Sequence, residues 1–397
     1  MAMDNASCTY YNASSSTEDE LLITYYHGVS KALRLYVTPV IIFGGTLGNV
    51  LTIIVVLSHH FRYSPSSIPL ITLACVDIGV LYFNLLDVWL GALLGYSLQY
   101  LRDISSAGCK ISTYVTVFLT QYSSWILVLI NIERVLSVYK PMKARNWCSR
   151  RRLVMALVLI LLILAVVSLH LFWTTKYHPD RASDRCQYNE VLLGEHGHTA
   201  WLIIDASLFT FVPFTVILCC NVAIIHSLIH AKKRRQRHYH VRNHQASDST
   251  KSITTMLLTI SVVFLITTSP LTVCYQFNDD LMQHFHNDPV AKALWYDLVI
   301  NTVLVLLCYS NNAVNCWLYC ISGSKFRVAL VQVLGGGGKN RGRYQYGRYP
   351  PRSLRMSMDN IAQSSFISGM SLNDKISHKH GTLLHNPAGI IMKYVCI

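Results

Sequence analysis

Charged residues are scarce in this chain, because Asp, Glu, Lys and Arg make up only 14% of its 397 residues. A soluble globular domain carries about 25% charged residues, so an ordinary soluble domain is excluded. Apolar residues reach 52% and gather in runs of about 20 residues, a length that crosses a bilayer as a helix. The composition therefore predicts an integral membrane protein built from helices.

An apolar core is also missing from residues 1–33, so no cleaved signal peptide is predicted there. The first apolar segment is expected to act as the insertion signal. Acidic residues are few, since 20 Asp and Glu stand against 34 Lys and Arg, and the net charge is +14. We attribute this charge mainly to membrane topology and a basic tail, and no nucleic acid partner is expected.

Seven apolar segments predict an all-α membrane protein, a seven-transmembrane helix bundle. They lie near residues 35–57, 68–94, 108–139, 153–175, 199–230, 251–277 and 290–321. Lys and Arg concentrate in the loops after segments 1, 3 and 5, which predicts that these loops and the C-terminus are cytoplasmic. We expect a multi-pass protein of the plasma membrane with its N-terminus outside.

Four regions are predicted along the chain. Residues 1–33 form an extracellular tail and residues 34–321 form the bundle. Residues 322–334 form a short amphipathic eighth helix that contacts membrane lipid at the inner surface. Residues 335–397 form a disordered cytoplasmic tail that is rich in Ser.

The predicted outer side carries glycosylation acceptors and cysteines. Asn5 and Asn12 each begin an Asn-x-Ser sequence, so the N-terminal tail is expected to be glycosylated. Cys109 and Cys186 both lie in an oxidising compartment, which favours a disulfide between them. Cys8, which also lies outside, is either free or paired between chains.

Polar side chains within the apolar segments are candidates for function. Asp77 lies deep in segment 2, and Asp87 lies near its outer end on a similar helix face. Acids at membrane depth are costly and therefore usually functional, and the alternative, stronger for Asp87 than for Asp77, is a structural hydrogen bond to a neighbouring helix. Pro213 and Pro270 interrupt segments 5 and 6 and predict bends there.

Motifs of one family occur in order along the segments. They are Gly48-Asn49, Leu73–Asp77, Cys109 with Cys186, Glu133-Arg134-Val135 with Pro141-Met142, Pro213, Pro270, Asn315–Tyr319 and Phe326-Arg327. In these motifs and in their order, the chain resembles the rhodopsin-like (class A) G-protein-coupled receptors over residues 35–335. The block NxxNxWLYCxxGxxFR of segment 7 resembles FMRFamide-type and related invertebrate neuropeptide receptors.

The sequence also departs from the family pattern. Cys316 stands where the family has Pro, Thr268 where it has Trp, and Val135 where it has Tyr. These departures concern the contacts made on activation rather than the fold. Thr250 stands where the family has an acid that pairs with Arg134, so appreciable basal signalling is predicted.

The resemblance implies a receptor and not an enzyme. Ligand binding would open the cytoplasmic side to a heterotrimeric G protein, and arrestin and kinase would act at the Ser-rich tail. Three residues of the implied ligand cavity are acids, which favours a cationic partner, and we expect a short amidated neuropeptide with a basic residue. By family position the cavity residues are Asp87, Thr113, Thr116, Gln121, Asp205, Tyr275, Asp297, Asn301 and Tyr309.

Other ligand classes were weighed against the peptide. Tyr309 stands where opsins carry the retinal-binding Lys, and Thr116 where amine receptors carry an Asp, so neither class is expected. The alternative is a small-molecule chemosensory G-protein-coupled receptor. A membrane transporter is the more distant alternative, and the sequence shows no internal repeat that would support it.

The resemblance also implies a polar core and a set of activation residues. Asp77, Ser123, Asn311 and Asn315, with Asn49, match the family's allosteric sodium site. Asp77 and Ser123 would hold the ion, and a water-bridged polar core is the alternative. No other cofactor is expected. The implied residues of activation and G-protein coupling are Glu133, Arg134, Pro141, Met142, Pro213, Phe264, Pro270 and Tyr319.

Overall fold

The computed structural model describes residues 17–58, 64, 66–95, 100–180, 185–189, 200–201, 203–237, 245–276 and 288–335. They belong to the first of two compact units, Met1–Gly338, and the second unit, Lys339–Ile397, lies outside the described residues. The predicted glycosylation acceptors Asn5 and Asn12, and Cys8, also lie outside them.

The described residues form a helical bundle, which confirms the predicted fold class. Six of its helices are long and apolar enough to cross a membrane, and a seventh contains the shorter apolar stretch Leu258–Cys274. The helices are α1, Thr17–Leu57; α2, Ser67–Leu94; α3, Ser106–Tyr139; α4, Arg150–Thr174; α5, with the apolar span Ile203–Ser227; α6, Gln245–Gln276; α7, Pro289–Ser322; and α8, Ser324–Leu334.

Helix α1 begins at Thr17, well before its predicted start near residue 35. The predicted tail of residues 1–33 is therefore helical from Thr17 onward, and its extracellular position remains a prediction. Three acidic residues in the first turn suit the positive end of the helix dipole. Farther along, the Ser30 hydroxyl lies 2.6 Å from the Thr302 hydroxyl, so the outer turns of α1 are held against α7.

Three of the helices contain π-helical turns in their outer halves. These turns are Leu81–Leu85 in α2, Ser207–Phe211 in α5 and Ala293–Leu304 in α7. A π turn shifts the register of the residues that follow it and is frequent at functional sites. Pro213 follows the α5 turn and Pro270 lies inside α6, and the bends predicted at both remain predictions.

Helices α1 and α7 approach each other closely at small residues. A Cβ atom added at Gly45 would lie 2.6 Å from Ala313 Cβ, and one added at Gly48 would lie 3.0 Å from Cys316 Cβ. The absence of a side chain at Gly45 thus lets the two backbones come together. This contact fixes the position of the polar segment of α7 described below.

A short hairpin covers the outer end of α3. Its strands, β1 (Thr175–Tyr177) and β2 (Cys186–Tyr188), are antiparallel, with Tyr177 opposite Cys186. A disulfide joins Cys186 to Cys109, which confirms the predicted pairing. The hairpin is also tied to the short helix Tyr100–Ile104, because the backbone N–H of Arg185 donates to Asp103 Oδ1 at 3.1 Å.

At the inner end, α8 follows α7 after Gly323, close to its predicted position. The Phe326 and Tyr319 rings are buried with their centroids 5.3 Å apart. Arg327 donates to the carbonyls of Cys320 and Ile321 at 3.0 and 2.8 Å. These bonds satisfy carbonyl groups that the end of α7 leaves without helical partners.

Candidate functional site

Asp77 lies at the centre of a buried polar core between α2, α3 and α7. Its side chain is fully buried, and its carboxylate accepts three hydrogen bonds. Oδ1 accepts from Ser123 Oγ at 2.8 Å and from Asn312 Nδ2 at 2.7 Å, and Oδ2 accepts from Asn315 Nδ2 at 2.6 Å. Asn49 joins α1 to the same place by donating to the Asn312 carbonyl at 2.8 Å.

Asn312, which the sequence analysis did not select, bonds to Asp77, whereas Asn311 was selected for the polar core. The Asn311 side chain is buried and its Oδ1 accepts no hydrogen bond. It lines a cavity of about 10 Å³, together with Ser123 and Asn312. This volume is roughly enough for one water-sized particle.

The oxygen atoms of this polar core suit a small hard cation. Ser123 and Asn311 line the cavity, and Asp77 is hydrogen-bonded to Ser123. Asp77 supplies a carboxylate and Ser123 a hydroxyl oxygen, and the buried amide oxygens of Asn311 and Asn315 have no hydrogen-bond donor. Hard oxygen ligands of this kind are preferred by hard cations, and an unpaired buried oxygen costs free energy that an ion would recover. The residues present therefore fit a sodium ion.

Glu133 and Arg134 form the polar cluster at the inner end of α3. Arg134 Nη2 lies 3.7 Å from Glu133 Oε1, and both side chains are buried. Ser66, at the start of α2, connects them, because its hydroxyl donates to Glu133 Oε1 at 2.6 Å and accepts from Arg134. Burial and the neighbouring Glu133 charge raise the pKa of the Cys148 thiol, so this cysteine stays protonated. The sequence analysis missed Ser66.

One turn above Arg134, a buried hydrogen bond joins α3 to α6. The Ser261 hydroxyl donates to Asn131 Oδ1 at 2.9 Å, and both side chains are buried. Asn131 is oriented by its amide nitrogen, which donates to the Leu127 carbonyl at 2.8 Å. This bond connects the arginine helix directly to the helix that carries Pro270.

The other residues implied in coupling have simpler surroundings. Phe264 and Tyr319 belong to the main buried apolar cluster of the bundle. Met142 is 86% exposed, so it is available on the inner surface. The side chain of Pro141 lies outside the described residues.

Toward the outer side, Asp205 of α5 lies against α3 and α4. Asp205 Oδ1 accepts from Gln121 Nε2 at 3.4 Å, so these two predicted ligand residues are brought together. Asp205 Oδ2 lies 3.4 Å from His170 Nε2, and the His170 ring stacks on Trp201. The sequence analysis missed His170.

Asp87 makes a structural hydrogen bond. Its side chain is 1% exposed, and Oδ1 accepts from the backbone N–H of Leu101 at 2.6 Å. The carboxylate thereby anchors the short helix Tyr100–Ile104 to α2, and the Arg102 charge lies nearby. Its geometry matches the structural alternative more closely than the ligand role.

Asp297 faces the outer turns of α1. Its Oδ2 lies 3.6 Å from His27 Nδ1, and the positive charge of Arg34 acts on it as well. Asp297 therefore already has basic neighbours within the protein. The helical extension of α1, which the sequence analysis did not expect, supplies His27, whereas Arg34 lies at the start of the predicted bundle.

The remaining implied ligand residues are distributed over α3, α6 and α7. Thr113 Oγ1 lies 3.7 Å from Cys186 Sγ, and the Thr116 hydroxyl is buried without a hydrogen-bond partner. Asn301 is buried, Tyr309 lines the small cavity near Asn311, and the side chain of Tyr275 lies outside the described residues. In the part of the chain that the structure describes, no direct contact joins the three outer acids to one another.

Comparison with known proteins bears on this arrangement of sites. Residues 48–319 match the family described as 7 transmembrane receptor (rhodopsin family). Similar proteins include the type-1 angiotensin II receptor B of Xenopus laevis, 25% identical over 82% of this chain and 81% of the relative. An FMRFamide peptide receptor of Caenorhabditis elegans is 24% identical over 78% of this chain and 70% of the relative. The somatostatin receptor type 2 of Mus musculus is 25% identical over 83% of each.

Proposed function

The chain belongs to the rhodopsin family of seven-transmembrane receptors, and we propose that it responds to a short amidated neuropeptide with a basic residue by activating a heterotrimeric G protein. The family consists of receptors, not enzymes, and the apolar helices make this a multi-pass membrane protein. The plasma membrane, the outside N-terminus, and regulation by kinase and arrestin at the Ser-rich tail belong to the proposal.

The ligand proposal rests mainly on the position of Asp205. Its side chain is buried except for 15% of its surface, and it lies between α3, α4 and α5, where a ligand would enter a receptor of this family. A guanidinium can bind such a carboxylate through two parallel hydrogen bonds. Relatives whose names include angiotensin, FMRFamide and somatostatin support a peptide, since each name denotes a receptor for one.

Replacing Asp205 with Asn is expected to lower the potency of an Arg-containing peptide by about 10- to 100-fold. A hydrogen bond to a charged group contributes about 1.5–3 kcal/mol, and 1.4 kcal/mol corresponds to tenfold in affinity. The measurement is the calcium and cAMP response of transfected cells to a panel of amidated peptides that includes FMRFamide. Asp180→Asn, an exposed acid in the outer hairpin, is the matched control.

The panel also decides between the ligand classes. A saturating response that Asp205→Asn weakens and Asp180→Asn preserves supports the peptide proposal. Silence of the surface-expressed wild-type receptor to every peptide contradicts it and favours the small-molecule chemosensory receptor. An equal response of wild type and Asp205→Asn would contradict the assignment of Asp205.

For G-protein activation, we propose that outward movement of α6 breaks the bond from Ser261 to Asn131. This bond joins α3 to α6 directly, and Thr250 cannot form an ion pair with Arg134. The inactive state therefore depends on a neutral hydrogen bond worth about 1 kcal/mol. We propose that this weak connection is a source of basal signalling.

Ser261→Ala is expected to raise basal signalling about fivefold at equal surface expression, since about 1 kcal/mol shifts a two-state population by that factor. The measurement is ligand-free second-messenger output plotted against receptor number. Thr267→Val is the control, because the Thr267 hydroxyl donates only to carbonyls of its own helix, at Val263 and Phe264. Equal basal output from wild type and Ser261→Ala would contradict the proposed role of this bond.

We also propose that the polar core binds an allosteric sodium ion. Asp77 and Ser123 would hold it with the amide oxygens of Asn311 and Asn315, which have no donor in the present arrangement. The water-bridged core remains the competing explanation for the same cavity. Sodium would supply only positive charge there.

A further inference from the structure

His170 lies where α4 meets the outer end of α5. Each of its two ring nitrogens faces an acceptor oxygen of another residue. Nδ1 lies 2.8 Å from the Val167 carbonyl oxygen, which can only accept, so Nδ1 carries a proton. Nε2 lies 3.4 Å from Asp205 Oδ2. The ring is 1% exposed and stacks on Trp201 with the planes 6° apart, so its orientation is fixed by packing.

These contacts favour the imidazolium form of His170. A neutral imidazole with its proton on Nδ1 would direct a lone pair at the Asp205 carboxylate, which is unfavourable at 3.4 Å. With a proton on each nitrogen, the ring donates to Val167 and forms an ion pair with Asp205.

No further charge offsets this pair among the described residues. Helix α3 places the neutral Gln121 against Asp205, and the chain before α5 places the neutral Trp201 against His170. Asp205 is the charged group that the structure sets against the imidazole. The carboxylate is thus neutralised by the protein itself, and the pair as a whole carries no net charge.

We propose that His170 is a specificity-determining residue, which sets how strongly the site at Asp205 selects a cationic ligand group. This inference rests on the proposed peptide function. A guanidinium bound to Asp205 would face the imidazolium at short range, where like charges repel. Binding of the cation therefore releases the proton of His170 to solvent. The ligand then replaces His170 as the ion-pair partner of the Asp205 carboxylate. By reciprocity, protonation of His170 weakens cation binding.

The resting ion pair can be tested without any ligand. An imidazolium stacked on an indole quenches its fluorescence, so Trp201 reports the charge of His170. The chain has seven Trp residues, and the signal of Trp201 is isolated as the difference between wild type and Trp201→Phe. We expect this signal to rise between pH 5.5 and 9 in wild type. In His170→Phe, which keeps an aromatic ring against Trp201, we expect it to be high and independent of pH.

Charge selection is tested with FMRFamide and its analogue in which citrulline replaces Arg. Citrulline has nearly the shape of Arg without its charge, so the potency ratio of the two peptides measures selection for the cation. We expect His170→Phe to increase this ratio about tenfold at pH 6.5. In wild type the ratio should rise with pH, by up to about tenfold per pH unit when one full proton is released. Asp205→Asn should bring the ratio close to one.

The fluorescence measurement and the potency ratio contradict different parts of the proposal. A Trp201 signal that does not change with pH in wild type overturns the ion pair, whatever the peptides do. A potency ratio that is the same in wild type and His170→Phe, with both receptors responding, overturns the role of His170 in selection. The last outcome is that no peptide activates any receptor although the Trp201 fluorescence changes with pH as expected. In that case the peptide proposal is wrong, and so is charge selection at Asp205 for such peptides.

Discussion

Replacing Gly45 with Leu is expected to abolish delivery of a folded receptor to the cell surface. A Cβ atom at this position would lie 2.6 Å from Ala313 Cβ, 2.7 Å from Leu81 Cδ1 and 2.9 Å from Ala313 Cα. These distances are well inside van der Waals contact, so α1 and α7 must separate. Extra methylene groups in a packed interior cost about 1–3 kcal/mol when they can be accommodated, and Leu adds several.

The neighbouring glycine provides an unusually close control. A Cβ atom at Gly44 would meet nothing within 4 Å, because this residue faces outward from the bundle. Gly44→Leu should therefore leave surface expression and thermal stability close to wild type. The measurement is antibody staining of intact cells, with melting of the purified receptors as a second readout. Equal loss in both variants would show that helix propensity, rather than the α1–α7 contact, decides the result.

The separation of α1 and α7 would also disturb the polar core. Asn49, one turn beyond Gly45, donates to the carbonyl of Asn312, whose side chain bonds to Asp77. The small residues and the buried acid are thus parts of one structural unit. A defect in packing at Gly45 should appear as reduced order around Asp77, although no polar atom has been changed.

The seven helices could be predicted because each contains an apolar run, six of them of membrane length and the seventh, Leu258–Cys274, somewhat shorter. The helical extension of α1 from Thr17 could not, because its residues show no such run and its packing depends on contacts with α7. Those contacts, such as Ser30 with Thr302, join residues far apart in the chain. Hydropathy along a single segment contains no information about them.

The sites were predicted less completely than the helices, and each difference between the predicted and observed contacts has a geometric cause. Asn311 and Asn312 are adjacent, and one helical step turns a side chain by about 100°, so family position alone did not decide which one meets Asp77. His170 is a single polar residue at the end of an apolar helix, and its importance depends on Asp205 in another helix. The structural hydrogen bond of Asp87 is made with Leu101 of the short helix Tyr100–Ile104, whose backbone N–H has no sequence signature.

Removing the Asp77 side chain is expected to have the second large effect. In Asp77→Leu, the hydroxyl of Ser123 and the amide groups of Asn312 and Asn315 lose their acceptor in a fully buried site. Each unsatisfied buried group costs about 1–3 kcal/mol, so most of the receptor should fail to fold. Asp77→Asn retains the volume and one acceptor oxygen, and it should reach the surface in reduced amount.

Asp77→Asn then separates the sodium site from a core bridged by water. We expect sodium chloride to raise the melting temperature of the wild-type receptor above its value in choline chloride of equal concentration. A ligand at about 100 times its dissociation constant stabilises the folded state by about 2.7 kcal/mol. Asp77→Asn should lose this response, because an amide cannot balance the charge of the ion. Asp87→Asn, which alters another buried acid of α2, should keep it. A melting temperature that is the same in both salts for wild type would favour water, since water would stabilise the core equally in either salt.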